Sequence, residues 1–212
     1  MIVFITSYNR PAMLKKAVKA WQKAGAEVHV FDDGSDFEPL EGVAWHAFRH
    51  GGKAGFWRLW NAMLKEARAR ADHDLIVFSP DDFQEPQVER IIEAHKRFNK
   101  YAYAHNLVND GRSQCWNVYM PQVIDSELMA VGFVDCGFFC NQKTIDALGA
   151  YMPDTSEWAA RHSSSGVGHN LSTRMLKRSV LMLMPTRSIC KHGNHESKMH
   201  PEERKKNPLT SK

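Results

Sequence analysis

The sequence predicts an α/β chain built on a mixed, mostly parallel sheet with helices on both faces. Three observations carry this. Short apolar runs alternate with stripes of helical period through the first hundred residues. Each of the early apolar runs ends in a polar cluster. The composition is that of an ordinary globular domain, with 43% hydrophobic and 25% charged residues in 212.

Ile2–Ile5 reads as a buried strand, and Thr6–Arg10 as the turn that leaves it. Pro11 suits a first helical turn, Met13, Leu14, Ala17, Val18 and Trp21 follow at helical spacing, and Gly25 supplies the stop. Glu27–Phe31 is the second strand, closed by the turn cluster Asp32–Asp36. Val43–Phe48 is a shorter third strand. Gly51–Gly55 reads as a glycine-rich loop before a helix with Phe56, Leu59, Trp60, Met63, Leu64 and Ala67 on one face.

Asp74–Ser79 is the next strand, ending in Pro80-Asp81-Asp82, and a helix starts near Pro86 with Val88, Ile91, Ile92, His95 and Phe98 as its stripe. Strands are expected over Tyr101–Val108, Cys115–Met120 and Phe133–Cys140. Asn141 caps a helix over Gln142–Leu148, stopped by Gly149. A last helix over Asn170–Arg178 precedes a strand over Ser179–Met184.

No apolar run approaches the ~20 residues of a membrane-spanning helix. Met1–Ile5 lacks the charged start and long apolar core of a signal peptide, so a cytoplasmic location is expected. Cys115, Cys136, Cys140 and Cys190 form no disulfide framework; a zinc site of Cys136, Cys140, Cys190 and a histidine is a minor alternative. The net charge of +4 is no nucleic-acid signature by itself, and residues 201–212 read as a basic tail.

In sheets of this kind ligands bind beyond the carboxyl ends of the strands. Thr6–Arg10, Asp32–Asp36 and Ser79–Asp82 all fall there, which points to one site. Asp81 and Asp82 repel each other at a strand end unless they are solvated or a divalent cation neutralises them. Lys53, Arg58 and Asn61, with glycines at a helix start, suit an anion such as a phosphate. Asp32-Asp33 either accepts hydrogen bonds from a ligand or serves the turn. His192 is a plausible further ligand of a cation shared with Asp81 or Asp82.

Thr6-Ser7-Tyr8-Asn9-Arg10-Pro11, Val30–Asp36, Gly52-Lys53 with Arg58 and Asn61, Val77–Asp82, Gly132–Phe139 and Cys190-Lys191-His192-Gly193 follow one another in an order that resembles the family 2-like glycosyltransferases of the GT-A fold. The resemblance implies a single Rossmann-like domain over 1–200, with a nucleotide-sugar half at 1–99 and an acceptor half at 100–200. It implies transfer of a sugar from a nucleotide-diphosphate donor to a hydroxyl acceptor, with Mn²⁺ or Mg²⁺.

On that reading Thr6, Tyr8 and Arg10 line the nucleotide, and Asp32 or Asp33 reads its base or ribose. Lys53, Arg58 and Asn61 lie near the diphosphate, and Asp81, Asp82 and His192 hold the metal. Ser79 stands where the family's acidic motif usually begins with another Asp. The family's general base has no acidic match before the last helix; His169, Glu157 and Asp154 are its candidates, and a retaining reaction needs none. The acceptor is a glycan, a small molecule or a hydroxymethylated base in phage-type DNA. A catalytically inactive nucleotide-sugar-binding protein and, ranked lower, a nucleotidyltransferase are the alternatives.

Overall fold

The computed structural model describes residues 1–49, 52–109, 122–134, 137–149 and 164–192. Its first half runs β1 (Ile2–Ser7), α1 (Pro11–Lys23), β2 (Glu27–Asp32), β3 (Ala44–Ala47), α2 (Gly52–Ala69), β4 (Ile76–Pro80), β5 (Phe83–Gln84) and α3 (Val88–Phe98). The second half adds β6 (Tyr103–Asn106), β7 (Gln122–Val123), β8 (Leu128–Ala130), β9 (Phe138–Cys140), α4 (Gln142–Leu148), α5 (Ser164–Lys177), β10 (Leu181–Pro185) and β11 (Lys191–His192).

Nine of these strands form one sheet in the order β3-β2-β1-β4-β9-β6-β10-β8-β7. Strands β3, β2, β1 and β4 run parallel, as do β6 and β10, while β9 lies antiparallel between β4 and β6. Strands β5 and β11 make a separate two-stranded sheet.

Strands buried on both faces read as continuous apolar runs, and β1 shows why. Ile2 and Phe4 point into one core with Trp57, Trp60 and Met63 of α2; Val3 and Ile5 point into the other with Leu14, Val18 and Trp21 of α1. On the α2 side an aromatic stack fills the middle of the sheet. Trp60 lies 5.1 Å from Phe78 and 6.0 Å from Phe138, centroid to centroid, and Phe78 and Phe138 lie 5.0 Å apart. Helix α1 ends where predicted, with Gly25 at φ +74°, a conformation that only glycine adopts without strain.

Three expectations change. Gly52–Gly55 belong to the first turn of α2 rather than to a loop; two glycines weaken that end by about 1 kcal/mol each, which the buried face of an 18-residue helix outweighs. Helix α5 begins at Ser164, before the expected Asn170, in a stretch of Ser and Gly without helical patterning. Strands β5, β7, β8 and β11, of two or three residues each, have no sequence counterpart among the predicted elements. Cys115–Met120 lies outside the described residues. Cys140 and Cys190 are buried free thiols, which burial pushes up, Cys190 to about 12, while Cys136 lies outside the described residues.

Trp60 is fully buried at the centre of the aromatic stack. Trp60→Ala is expected to lower the unfolding free energy by about 3–5 kcal/mol, measured by urea denaturation; a loss below about 1 kcal/mol would show that the stack does not hold α2 to the sheet.

Candidate functional site

The site is assembled at the carboxyl tips of the parallel strands. Thr6 of β1 pairs with Pro80 of β4, and the Asp81 amide donates to the Thr6 carbonyl at 3.1 Å, which extends the pairing by one step. This sets the fully buried Asp81 carboxylate beside Ser7, whose Oγ donates to Oδ2 at 2.7 Å. Arg10, from the turn that follows, places one guanidinium nitrogen 2.5 Å from Asp81 Oδ1 and another 3.5 Å from Asp82 Oδ2. Burial pushes the Asp81 carboxyl up to about 6. Arg10 and the Ser7 hydroxyl pull it back down, and the Asp82 charge adds to the rise.

His192 reaches the same place from the far end of the chain. Strand β11 pairs antiparallel with β5, opposing His192 to Phe83. The imidazole Nε2 lies 3.6 Å from Asp82 Oδ2, and the ring stands edge-on to Phe83 with centroids 5.3 Å apart. The Phe83 ring in turn lies on Gly137 so closely that a Cβ there would sit 2.1 Å from it, so this position requires glycine. Gln84 Nε2 donates to the Asp81 carbonyl at 2.6 Å and to Met13 O at 3.3 Å, locking the turn onto α1.

The turn after β2 is laced to the turn after β1. Asn9, at φ +49°, accepts from the Asp36 amide at 2.8 Å and donates to its carboxylate at 3.0 Å, while its own amide donates to Ser35 Oγ at 2.8 Å. The Asp33 amide donates to Ser7 O at 3.0 Å. Asp32 is buried, and its carboxylate accepts from the amides of Gly34 and Ser35 and from the Ser35 hydroxyl. Those bonds commit Asp32 to the turn, which leaves Asp33, half-buried beside it, as the better placed of the two to meet a ligand.

Of the residues singled out in the sequence, the structure links Asp81, Arg10, Asp82 and His192 in a chain of contacts, with Thr6 bonded to Asp81 through its carbonyl. Tyr8 and Asp33 flank them, half-buried, on the two laced turns. Lys53 lies in the first turn of α2. Arg58 is exposed and Asn61 half-buried further along that helix. His169 belongs to α5, whereas Glu157 and Asp154 lie outside the described residues. Sequence reasoning missed Ser7, Asn9, Ser35 and Gln84 as individual residues. Ser7 and Asn9 sat inside a segment already singled out, but their hydrogen bonds span 26–74 residues, which no local pattern reveals.

Two potential cation ligands meet at the rim. Asp82 Oδ2 and His192 Nε2 face each other, and a hard cation that takes one or two protein ligands fills its remaining positions with phosphate oxygens and water. Asp81, with both oxygens engaged by Arg10 and Ser7, contributes by fixing Arg10. Among the described residues no three His, Cys, Asp or Glu side chains surround one cation position, so the protein alone supplies an incomplete shell.

No protein-family model matches the sequence, and no curated protein does. Solved structures do. A crystal structure of S. aureus TarS residues 1–349 superposes with a TM-score of 0.60 at 12% identity, covering 91% of this chain and 60% of that one. A longer crystal structure of S. aureus TarS gives a TM-score of 0.60 at 11% identity, covering 91% of this chain and 36% of that one. This chain therefore spans less than two thirds of either. The likeness is one of fold: this chain shares the GT-A arrangement, an α/β architecture on a mixed sheet.

Proposed function

We propose that the protein is a metal-dependent glycosyltransferase that moves a sugar from a nucleotide-diphosphate donor to a hydroxyl acceptor. The observation that carries this reading is the convergence of Arg10, Asp81, Asp82 and His192 at the strand tips of a GT-A-like sheet. The fold by itself supports a nucleotide-sugar donor; the four side chains supply the chemistry that donor needs.

In this reading the diphosphate lies over the tips of β1 and β4. Arg10, held by Asp81, presents fixed positive charge where negative charge grows as the glycosidic bond breaks. The start of α2, with Lys53, offers backbone N–H groups and a cation to the same diphosphate. Asp33 accepts hydrogen bonds from the ribose or base, and Thr6, Tyr8, Arg58 and Asn61 complete the donor pocket. Asp82 and His192 would hold Mn²⁺ or Mg²⁺, which when bound stabilises the leaving diphosphate as a Lewis acid. His169 and Glu157 are the candidates for the base that takes the acceptor proton if the reaction inverts. A cytoplasmic enzyme acting on a glycan, a small molecule or modified DNA is in keeping with this. Among the described residues no helix is long and apolar enough to cross a membrane.

One observation favours a second reading, a nucleotide-sugar-binding protein without turnover: both oxygens of Asp81 are already satisfied by protein groups. Release of free nucleotide from a nucleotide sugar, followed with and without candidate acceptors, separates the two, since only the enzyme releases it.

Calorimetric titration of nucleotide diphosphates with Mn²⁺ is expected to show binding that chelator removes. Asp82→Asn and His192→Gln should each weaken it roughly tenfold or more, in line with a lost ligand to the metal, with unchanged melting temperature. Full affinity of both variants in chelator would refute the cation site.

Asp81 also gives a signed prediction. Its folded carboxyl is raised to about 6 from an ordinary 3.8, so the folded state holds the proton more tightly than the unfolded one. Its contribution to stability is present in full below pH 4 and is lost as pH rises through 6. Relative to Asp81→Asn, the ligand-free wild type should lose roughly 3 kcal/mol of stability across that window, as a shift of about two units implies. A pH-independent difference between the two proteins would refute the assignment.

A further inference from the structure

The β2–β3 edge of the sheet carries a second polar cluster that the proposed reaction does not use. His29, on β2, is buried, and its Nε2 lies 2.8 Å from Glu27 Oε1. Arg70 Nη2, which can only donate, lies 3.3 Å from the same Nε2. His46 Nε2, on β3, lies 3.1 Å from His29 Nδ1, and in the neutral pair one N–H bridges these two nitrogens whichever ring carries it. The His46 ring is stacked on Phe31 at 4.3 Å, and Phe4 meets the His29 ring edge-on at 5.5 Å.

The charged and titratable groups around the pair are Glu27 on β2, Glu66 on α2, and Arg70, Asp72 and His73 after α2. Glu66 Oε1 is 3.9 Å from His29 Nδ1. Arg70 pairs with Glu27 and lies 3.6 Å from Glu66. His73 Nε2 lies 2.9 Å from Glu27 Oε2 and 3.7 Å from Asp72, with the chain's amino terminus near enough to oppose its protonation. Burial first, then neighbouring imidazoles, hold His29 and His46 below the ordinary histidine value, and Glu66 only partly offsets this.

One added proton can sit on an outer ring nitrogen without breaking the contact. A second, which protonates both rings, sets two N–H donors face to face across 3.1 Å. Strand β3 is poorly placed to resist. It is an edge strand of four residues, paired on one side only, with Ala44 and Ala47 exposed.

We propose that the His29–His46 contact is an acid-operated latch: in the neutral form it holds β3 against β2, and on protonation β3 is released. The consequence reaches the strand tips along the backbone. Phe48, just after β3, donates its amide to the Asp32 carbonyl at 2.9 Å, and the chain continues into α2. Release of β3 frees the Asp32 turn from that side; a resulting loss of nucleotide affinity rests on the function proposed above, whereas the latch does not.

The sign follows from linkage. The undocked imidazoles bind protons at the ordinary histidine value and the docked ones only below it, so docking weakens as pH falls through that value. Hydrogen exchange of the β3 amides, corrected for the intrinsic pH dependence, tests this on the whole chain without ligand. Between about pH 7.5 and pH 5, β3 protection should fall roughly tenfold or more while the amides of β1 and β4 stay protected. His46→Gln removes one of the two titrating imidazoles, and its side-chain amide can donate to neutral His29 or turn to accept from protonated His29, so it should lose much less β3 protection over this range; His46→Asn serves the same purpose if that variant does not fold. Unchanged β3 protection in the wild type, equal loss in the variant, or simultaneous loss in β1 and β4 would each overturn the latch. A normal β3 response with no nucleotide binding at any pH would instead sink the glycosyltransferase reading alone.

Discussion

Asp81 is a carboxylate with no exposure to solvent, and burying such a charge costs several kcal/mol unless other groups take over the role of water. Here Arg10 and Ser7 do so, one with a guanidinium at 2.5 Å and the other with a hydroxyl at 2.7 Å. Neither group works unless β1 and β4 are neighbours in the observed register, because Ser7 and Arg10 leave β1 just where Asp81 leaves β4. The compensation is incomplete, since burial still holds the Asp81 carboxyl near 6. A charge that the fold only partly neutralises favours binding of a further cation at the same rim, and Asp82 with His192 lies beside it.

Three sets of contacts keep that rim in place, each arriving from a different part of the chain. Asn9 ties the first turn to Ser35 and Asp36. Gln84 ties the acidic turn back to α1 through Met13. Gly137, at the entrance to β9, admits the Phe83 ring that packs against His192. Preorganisation of this kind lowers the reorganisation needed when charge develops in a bound ligand. It also explains why a two-residue strand persists: β11 is short, but its partner β5 is fixed on both sides.

Much of this was legible in the sequence, for identifiable reasons. Strands β1 and β4 are buried on both faces, so they appear as apolar runs, and α1, α2 and α3 bury one stripe each at helical spacing. Arg10, Asp81, Asp82 and His192 stood out because they are charged or titratable residues in turns. Ser7 and Gln84 have no such mark, and their roles exist only once β1, α1 and β4 are assembled. Asp32 and Asp33 were indistinguishable, since the choice depends on which carboxylate the Ser35 turn captures. The antiparallel insertion of β9 between β4 and β6 was equally hidden, because strand order depends on long connections rather than on composition.

Ser79 bears on whether the acidic motif is weakened by lacking its first Asp. The residue lies on β4, paired with Ile5, is buried, and donates its hydroxyl to the neighbouring Pro80 carbonyl at 3.0 Å. A carboxylate at this position would compete for Arg10, which is already engaged by Asp81 and Asp82. It would also add a third negative charge two residues from a carboxyl already raised to about 6, pushing Asp81 further toward its neutral form. With serine there, the two remaining carboxylates share one arginine.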